Sequence, residues 1–127
     1  MFKIRNEQME VFSDAVRQSF EDRMVTHLNR FFPAQCEALG ENEVRLVIRY
    51  GTRRAAEYDA KAERSVCKYI DIMFAFGRDF DRNPDFPWAK RILIDRPYPT
   101  PSQKIDHLYE VAMQEVLKVS TADARRS

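Results

Sequence analysis

The segment from residue 79 to residue 85 carries polar side chains at alternate positions, a pattern that could bind a metal ion. The spacing of the first four ligands in a calcium-binding helix–loop–helix is matched by Asp79, Asp81, Asn83 and Asp85. Such a loop also needs a glycine at its sixth position and a bidentate glutamate at its twelfth, where this chain has Pro84 and Lys90. The sequence therefore predicts no metal site, and we expect the aspartates to cap helices and to pair with Arg78, Arg82 and Lys90.

Two histidines and two cysteines are the remaining candidates for chemistry. His27 and His107 have no serine or cysteine in a motif that would make either one a catalytic base. Cys36 and Cys67 are far apart and lack zinc-site spacing, so we expect them to behave as small apolar side chains in a reduced protein. The sequence predicts partly buried histidines, no catalytic residue, no metal and no cofactor.

A basic stretch on one predicted helix could attract an anionic partner. It consists of Arg45, Arg49, Arg53 and Arg54. Glu41, Glu43 and Glu57 are spaced to pair with it on the helix surface. The net charge is only +1, so neither nucleic acid nor a membrane surface is expected as a partner. The chain also lacks a signal-peptide pattern and a membrane-length apolar run, which favours a cytoplasmic protein.

Aromatic side chains are more abundant than a small helical core requires. The chain has nine phenylalanines, five tyrosines and one tryptophan. Tyrosine and tryptophan are favoured anchors of protein interfaces. We therefore predict a protein-binding site, with the charged residues at its rim, formed by Phe80, Asp81, Asp85, Phe86, Trp88 and Tyr109. The alternative is that Phe86 and Trp88 close the bottom of the core.

The apolar periodicity predicts an all-α fold. Four longer helices are expected at residues 6–32, 41–59, 62–76 and from 101, with short helices at 34–39 and 87–94. Asn6 is the expected N-cap of the first helix, and Thr100 followed by Pro101 opens the last one. Pro33, Gly40 and Gly77 mark helix ends. We expect one compact domain over residues 1–118 and a frayed tail over residues 119–127.

The first and third predicted helices have distinct faces. Met9 and Phe12 begin the apolar face of the first helix, whereas Glu21 falls on its charged side. In the third helix, Gly51 lies on the apolar face, where a neighbouring helix could approach closely.

The second half of the chain carries a family resemblance. The matching residues are Glu63-Arg64, the run YIDIMF at 69–74, Gly77, Asp79-Phe80-Asp81, Pro87-Trp88-Ala89 and Ile92-Leu93, joined near the start by Ile4 through Met9, Phe12 and Phe20-Glu21. This pattern, which spans residues 2–118, resembles small helical proteins encoded in bacterial type VI secretion clusters beside PAAR-tip and effector genes. The resemblance offers no catalytic residues.

What the resemblance implies is a non-catalytic accessory protein. It would act as a chaperone, co-chaperone or adaptor, with an effector, the chaperone of that effector or a PAAR-type tip protein as its partner. A second hypothesis is an immunity protein whose acidic loop, residues 79–85, blocks the basic cleft of a toxin. The oligomeric state is left open by the sequence.

Overall fold

The computed structural model describes the backbone of residues 2–126 and the side chains of residues 14–118. Its helices, in chain order, are α1 (Phe2–Phe31), α2 (Pro33–Leu39), α3 (Glu41–Glu57), α4 (Glu63–Phe76), α5 (Pro87–Lys90) and α6 (Pro101–Arg126). A 3-10 turn at Phe80–Arg82 precedes α5, and a π-helical turn at Arg91–Asp95 follows it. The described backbone contains no β-strand, so the predicted all-α class, with four longer and two short helices, is confirmed.

The chain divides into two compact units, Met1–Arg49 and Tyr50–Ser127, and the division falls inside α3. The predicted single domain over residues 1–118 stays a prediction. The last helix continues to Arg126, through a segment that has no apolar pattern in the sequence. None of the described helices combines the length and the apolar character that crossing a membrane requires.

In the first unit, the predicted signals for the ends of α1 and α2 are confirmed, whereas the predicted start of α1 is not. The helix α1 ends at Phe31, and Pro33 then opens α2, because proline is tolerated at the first helical position. The amide of Gly40 (φ 84°) donates to the carbonyl of Cys36 and closes α2. The predicted start at Asn6 is wrong. The helix begins at Phe2, since residues 2–5 contain neither glycine nor proline to stop it.

The predicted apolar face of α1 is confirmed in its middle, at Phe20, Met24 and Leu28, which are buried. It is wrong at Val16 and Phe31, which have the same helical spacing but are 37% and 59% exposed. The side chains of Met9 and Phe12 lie outside the described residues.

The predicted position of Glu21 on the exposed, charged face of α1 is wrong. Glu21 is only 7% exposed, although the sequence placed it on the charged side. Nε of Arg49 donates to one carboxylate oxygen at 2.6 Å, and Nη1 of Arg45 donates to the other at 2.7 Å. These hydrogen bonds, that of Arg49 foremost, lower the pKa of Glu21 despite its burial. A buried carboxylate is therefore held by two arginines of α3 within the first unit.

In the second unit, α4 packs against α6 and against the last turns of α3. The buried residues of this core include Tyr69, Ile70, Met73, Ile105 and Leu108. A Cβ atom added at Gly51 would lie 2.7 Å from Cγ1 of Ile70 and 2.8 Å from Sδ of Met73. Gly51 is therefore a point of close approach between α3 and α4, where a Cβ atom fits only if Ile70 and Met73 shift, and this agrees with its predicted position on the apolar face.

The ends of α3 and α4 depend on left-handed residues. Asp59 has φ 64°, and the amide of Ala60 reaches back to the carbonyl of Ala55 at 3.0 Å. Gly77 has φ 117°, and its amide donates to the carbonyl of Met73 at 2.8 Å. The chain leaves α4 at Gly77, as predicted, and enters the loop that carries the aspartates and aromatic rings.

The connection from α5 to α6 contains a π-helical turn that the sequence did not predict. The short helix predicted over residues 87–94 is confirmed as helical, but its second half, Arg91–Asp95, has the wider π geometry. The chain is extended at Arg96. Oγ1 of Thr100 then accepts the amide of Gln103 at 3.2 Å, so the predicted cap of the last helix is confirmed.

We expect Gly51→Ala to lower the free energy of unfolding by roughly 1 kcal/mol, although alanine is the better helix former by ~1 kcal/mol. The reason is that the added methyl group overlaps Ile70 and Met73. Urea denaturation followed by circular dichroism measures the change. The exposed neighbour Arg53→Ala should be near neutral, and a stabilised Gly51→Ala protein would contradict the close packing.

Glu21→Gln should cost about 1 kcal/mol of stability at pH 7, and less as the pH falls. Because the pKa of Glu21 is lowered in the folded state, its stabilising effect is present above its ordinary pKa of 4.5 and is lost as the pH falls through the folded value. Thermal melts from pH 7 to about pH 3 measure the difference between the two proteins. Equal differences at every pH would contradict this assignment, and the exposed Glu37→Gln is the control.

Candidate functional site

Two loop aspartates are bonded to side chains of α3. Asp79 accepts a hydrogen bond from the hydroxyl of Tyr50, and Asp81 forms an ion pair with Arg54. The predicted pairing of these aspartates with Arg78, Arg82 and Lys90 is therefore wrong. It failed because α3 crosses the loop in the tertiary structure, and this brings donors from 27 and 29 residues away.

The other two residues of the calcium-like pattern bond to each other. The amide of Asp85 donates to Oδ1 of Asn83 at 2.9 Å, which closes a local turn. The side chains of Asp79, Asp81 and Asn83 therefore serve the structure of the loop, whereas Asp85 takes part through its backbone amide.

The Arg54–Asp81 pair is the centre of a buried polar cluster. Arg54 is 5% exposed and Asp81 is 3% exposed. The hydroxyl of Tyr58 donates to the same carboxylate oxygen of Asp81 that Arg54 binds, at 2.6 Å. Nη1 of Arg54 also binds Glu57 at 2.5 Å, and Glu57 reaches solvent. One buried charge from α3 thus meets one buried charge from the loop, with a tyrosine hydroxyl between them.

Burial and charge shift the pKa values of this cluster in a consistent direction. Burial, the largest single influence, lowers the pKa of Arg54, but the hydrogen bond to Asp81, the charge of Asp81 and the nearby phenols together outweigh it, so the pKa is raised. Burial and then the hydrogen bond to Asp81 raise the pKa of Tyr58. Burial and the charge of Asp81 also raise the pKa of Tyr69, so both tyrosines are neutral at ordinary pH. Neutral phenols and a permanent cation suit structural anchoring better than proton transfer.

The cluster is incompletely satisfied. Among the side chains that the structure describes, three buried polar atoms have no hydrogen-bond partner: Nε of Arg54, the hydroxyl of Tyr69 and Oδ1 of Asp81. A buried group without a partner carries its full desolvation cost. The three atoms belong to one cluster, so this region should tolerate substitution poorly.

Successive backbone turns hold the loop between Gly77 and Ala89. The amides of Phe80, Arg82, Asn83, Phe86 and Ala89 each donate to the carbonyl three residues earlier, at 3.0–3.3 Å. This series includes the 3-10 turn Phe80–Arg82. The loop is therefore a continuous run of tight turns, fixed to α3 by its aspartates.

The aromatic rings of the loop form one cluster with rings of α4. Phe80 lies between Tyr69, at 5.1 Å, and Trp88, at 6.3 Å between ring centroids. Phe76 meets Phe86 at 5.1 Å and Trp88 at 5.2 Å, both edge to face. Phe80 is buried, whereas Phe76, Phe86 and Trp88 are each partly exposed. The cluster runs from the core to the surface, and its outer members are the rings from the end of α4 and from the start of α5.

The six residues of the predicted binding site differ in their exposure to solvent. Phe80 is 1% exposed, and both it and Asp81 are buried. Neither is available to a partner, because one fills the core and the other pairs with Arg54. Phe86 and Trp88 are partly exposed, and Asp85 is exposed beside them in the chain. The predicted binding site stays a prediction at its surface residues Asp85, Phe86 and Trp88, whereas Phe80 and Asp81 are buried in this structure.

Tyr109 is partly exposed on α6, at a different place from the ring cluster. Nζ of Lys68 in α4 lies 5.4 Å from the centre of its ring, and Lys68 also binds Asp106 at 2.7 Å. The described ring contacts do not include one between Tyr109 and Trp88.

Arg54 is the functional residue that the sequence analysis misjudged. It was grouped with an exposed basic stretch, and only two of the expected surface pairs, Arg45–Glu41 and Arg54–Glu57, are present among the described ion pairs. Its spacing in the sequence could have indicated that Arg54 is buried. Arg54 and Tyr58 lie four residues apart, on one side of the helix, and Arg54 is next to the buried Ala55.

The two histidines contact aromatic side chains, and the two cysteines carry thiols whose pKa is raised. His27 contacts the ring of Phe31 at 4.8 Å, and His107 shares a hydrogen bond with the hydroxyl of Tyr98; both histidines are partly buried, as predicted. Burial raises the pKa of the Cys36 thiol and raises that of Cys67 to about 11. Both thiols are therefore protonated at neutral pH and are weak nucleophiles.

Comparison of the chain with models of known protein families, with curated proteins and with solved structures gives no match.

Breaking the buried pair should destabilise the protein more than replacing it. We expect Arg54→Met to cost about 3–5 kcal/mol, because Asp81 is left charged and buried. The double variant Arg54→Met/Asp81→Leu should lose less than this single variant, since neither charge remains. Urea unfolding followed by the fluorescence of Trp88, the only tryptophan, measures both. A loss in the double variant as large as the sum of the losses in Arg54→Met and Asp81→Leu alone would show that the two charges act independently, and the exposed Arg53→Met is the control.

Proposed function

We propose that this chain is a non-catalytic protein-binding factor that acts as a chaperone, co-chaperone or adaptor for a type VI secretion effector. The partner class comes from the resemblance of the chain to accessory proteins of such gene clusters. The partner itself would be the effector, the chaperone of the effector or a PAAR-type tip protein.

The observation that carries the binding role is the half-buried ring cluster. Phe76 contacts Phe86 and Trp88 edge to face, Phe86 and Trp88 meet at a tilt of 46°, and each residue is partly exposed. Aromatic side chains are the most common anchors of protein interfaces because they bury a large area with few rotatable bonds. A partner that covers this cluster would bury the ring surface that is exposed to solvent in the chain alone.

The anchored loop supports the same role. Because Asp79 and Asp81 are bonded to α3, the rings are held in place before any partner arrives. A partner then pays little for ordering them, and more of the burial appears as affinity. Exposed Asp85 lies at the rim, where a charge affects register and association rate more than affinity.

The loop gives less support to the immunity hypothesis. That hypothesis needs an acidic loop that can enter a basic toxin cleft. Asp79 is bonded to Tyr50, and Asp81 is buried against Arg54, so two of the three loop aspartates are already engaged within the chain. We therefore do not propose occlusion of a toxin active site by this loop.

The proposal is tested by co-expressing the chain with candidate type VI secretion effectors, chosen from the products of the genes that neighbour its own. We expect the wild-type chain to raise the soluble yield of the effector and to co-purify with it. Phe86→Ala and Trp88→Ala should each weaken the complex by roughly 30-fold, the loss of a typical hot-spot residue. Isothermal titration calorimetry on the purified proteins measures this loss.

Two controls separate binding from folding. Phe31→Ala removes an aromatic ring that is 59% exposed in the first unit, and it should leave the complex intact. Circular dichroism must show that the loop variants keep their helix content. Unchanged affinity in well-folded Phe86→Ala and Trp88→Ala proteins would rule out the ring cluster as the binding site.

A further inference from the structure

An open groove of about 460 Å³ lies beside the ring cluster in the second unit. One wall comes from the 3-10 turn, through Arg82, and continues to Pro84. The other wall comes from α5 and the π-helical turn, through Pro87, Lys90 and Arg91. Pro87 is flanked in the chain by Phe86 and Trp88, so the groove lies near the backbone of both ring residues, although neither ring is part of its lining. The groove and the ring cluster are therefore contiguous in the chain.

The groove is positively charged. Arg82, Lys90 and Arg91 are all exposed, and none of the described ion pairs includes them. Asp95 is the one exposed acidic residue of the lining. Asp81 also contributes to the lining, but its charge is matched by that of Arg54. Three unpaired cations thus face one carboxylate, which leaves the groove with an excess of about two positive charges.

The π-helical turn contributes directly to this lining. Its first and last residues, Arg91 and Asp95, both border the groove. π-Helical turns are rare, and they occur frequently at functional sites because they move side chains out of the α-helical register. This local distortion is an observation independent of the charge, and it points to the same groove.

We propose that the groove binds an acidic peptide segment of the protein partner. Carboxylates of the segment would pair with Arg82, Lys90 and Arg91, and arginine can hold a carboxylate with two parallel hydrogen bonds. An apolar side chain next to the acidic residues would pack on Phe86 and Trp88. This inference rests on the proposed function, and it adds the chemical nature of the segment that the partner presents.

A peptide fits the surface better than a nucleic acid does. The chain as a whole carries a net charge of only +1, so there is no extended basic field to follow a phosphate backbone. Two prolines line the groove and aromatic rings adjoin it, which suits a segment that alternates apolar and acidic side chains. Nucleic acid binding is an outcome that the experiment below distinguishes.

The test uses synthetic peptides of about twelve residues and the fluorescence of Trp88, which is the only tryptophan. One peptide alternates glutamate with leucine and phenylalanine, and its matched counterpart has glutamine in place of every glutamate. We expect the glutamate peptide to bind roughly ten-fold more tightly than the glutamine peptide, as three surface ion pairs of ordinary strength would produce. The difference should shrink between about 50 and 300 mM salt.

Charge-matched variants locate the site. The triple variant Arg82→Gln/Lys90→Gln/Arg91→Gln should lose the roughly ten-fold preference for glutamate. The control Arg53→Gln/Lys61→Gln/Arg64→Gln removes the same three charges from exposed positions elsewhere in the second unit and should keep the preference. The proposal is overturned if both triple variants lose it equally, if the glutamine peptide binds as tightly, or if the glutamate peptide does not bind. Equal binding of a single-stranded oligonucleotide at the same charge would also overturn it.

The same variants separate this inference from the proposed function. If Phe86→Ala weakens the complex with the effector and the groove variant does not, the binding role stands and the acidic segment is rejected. If neither variant weakens the complex, both proposals fail.

Discussion

The ion pair between Arg54 and Asp81 connects the scaffold of the second unit to its loop. Arg54 belongs to α3, and Asp81 belongs to the 3-10 turn that follows α4. Both side chains are buried, and the hydroxyl of Tyr58 binds the same carboxylate oxygen. A buried charge without its partner is strongly unfavourable, so the loop cannot leave α3 without exposing or stranding one of the two charges. The positions of Phe80, and of the rings that pack on it, follow from this constraint.

Anchoring the loop has a consequence for recognition. Charged loops with several aromatic residues are often mobile, and a mobile loop must be ordered when a partner binds. Here the aspartates are bonded to α3 and successive turns join the backbone, so the outer rings are held against the core. The incomplete hydrogen bonding of the buried cluster is the cost of this arrangement. It also makes the cluster a point where small changes in sequence would alter the loop.

The distribution of charge differs between the two units. In the first, Arg45 and Arg49 bind the buried carboxylate of Glu21, so that part of the basic stretch is used for stability. In the second, α3 supplies the partners of Asp79 and Asp81, which leaves Arg82 and Lys90 without the aspartates expected to pair with them. A chain that is almost neutral overall therefore has a local cationic groove next to exposed rings. Local pairing, rather than net charge, determines what such a surface can recognise.

The sequence determined the local features of this protein, because each depends on neighbouring residues. Apolar spacing predicted the helices, Gly40 and Gly77 predicted helix ends, and Thr100 predicted a cap. Only the tertiary structure decided which charges meet. Arg54 and Asp81 are separated by 27 residues, and their pairing depends on how α3 crosses the loop, which no local pattern encodes. For the same reason, the sequence could identify Phe80 and Trp88 as candidate binding residues but could not show that one is buried and the other is partly exposed.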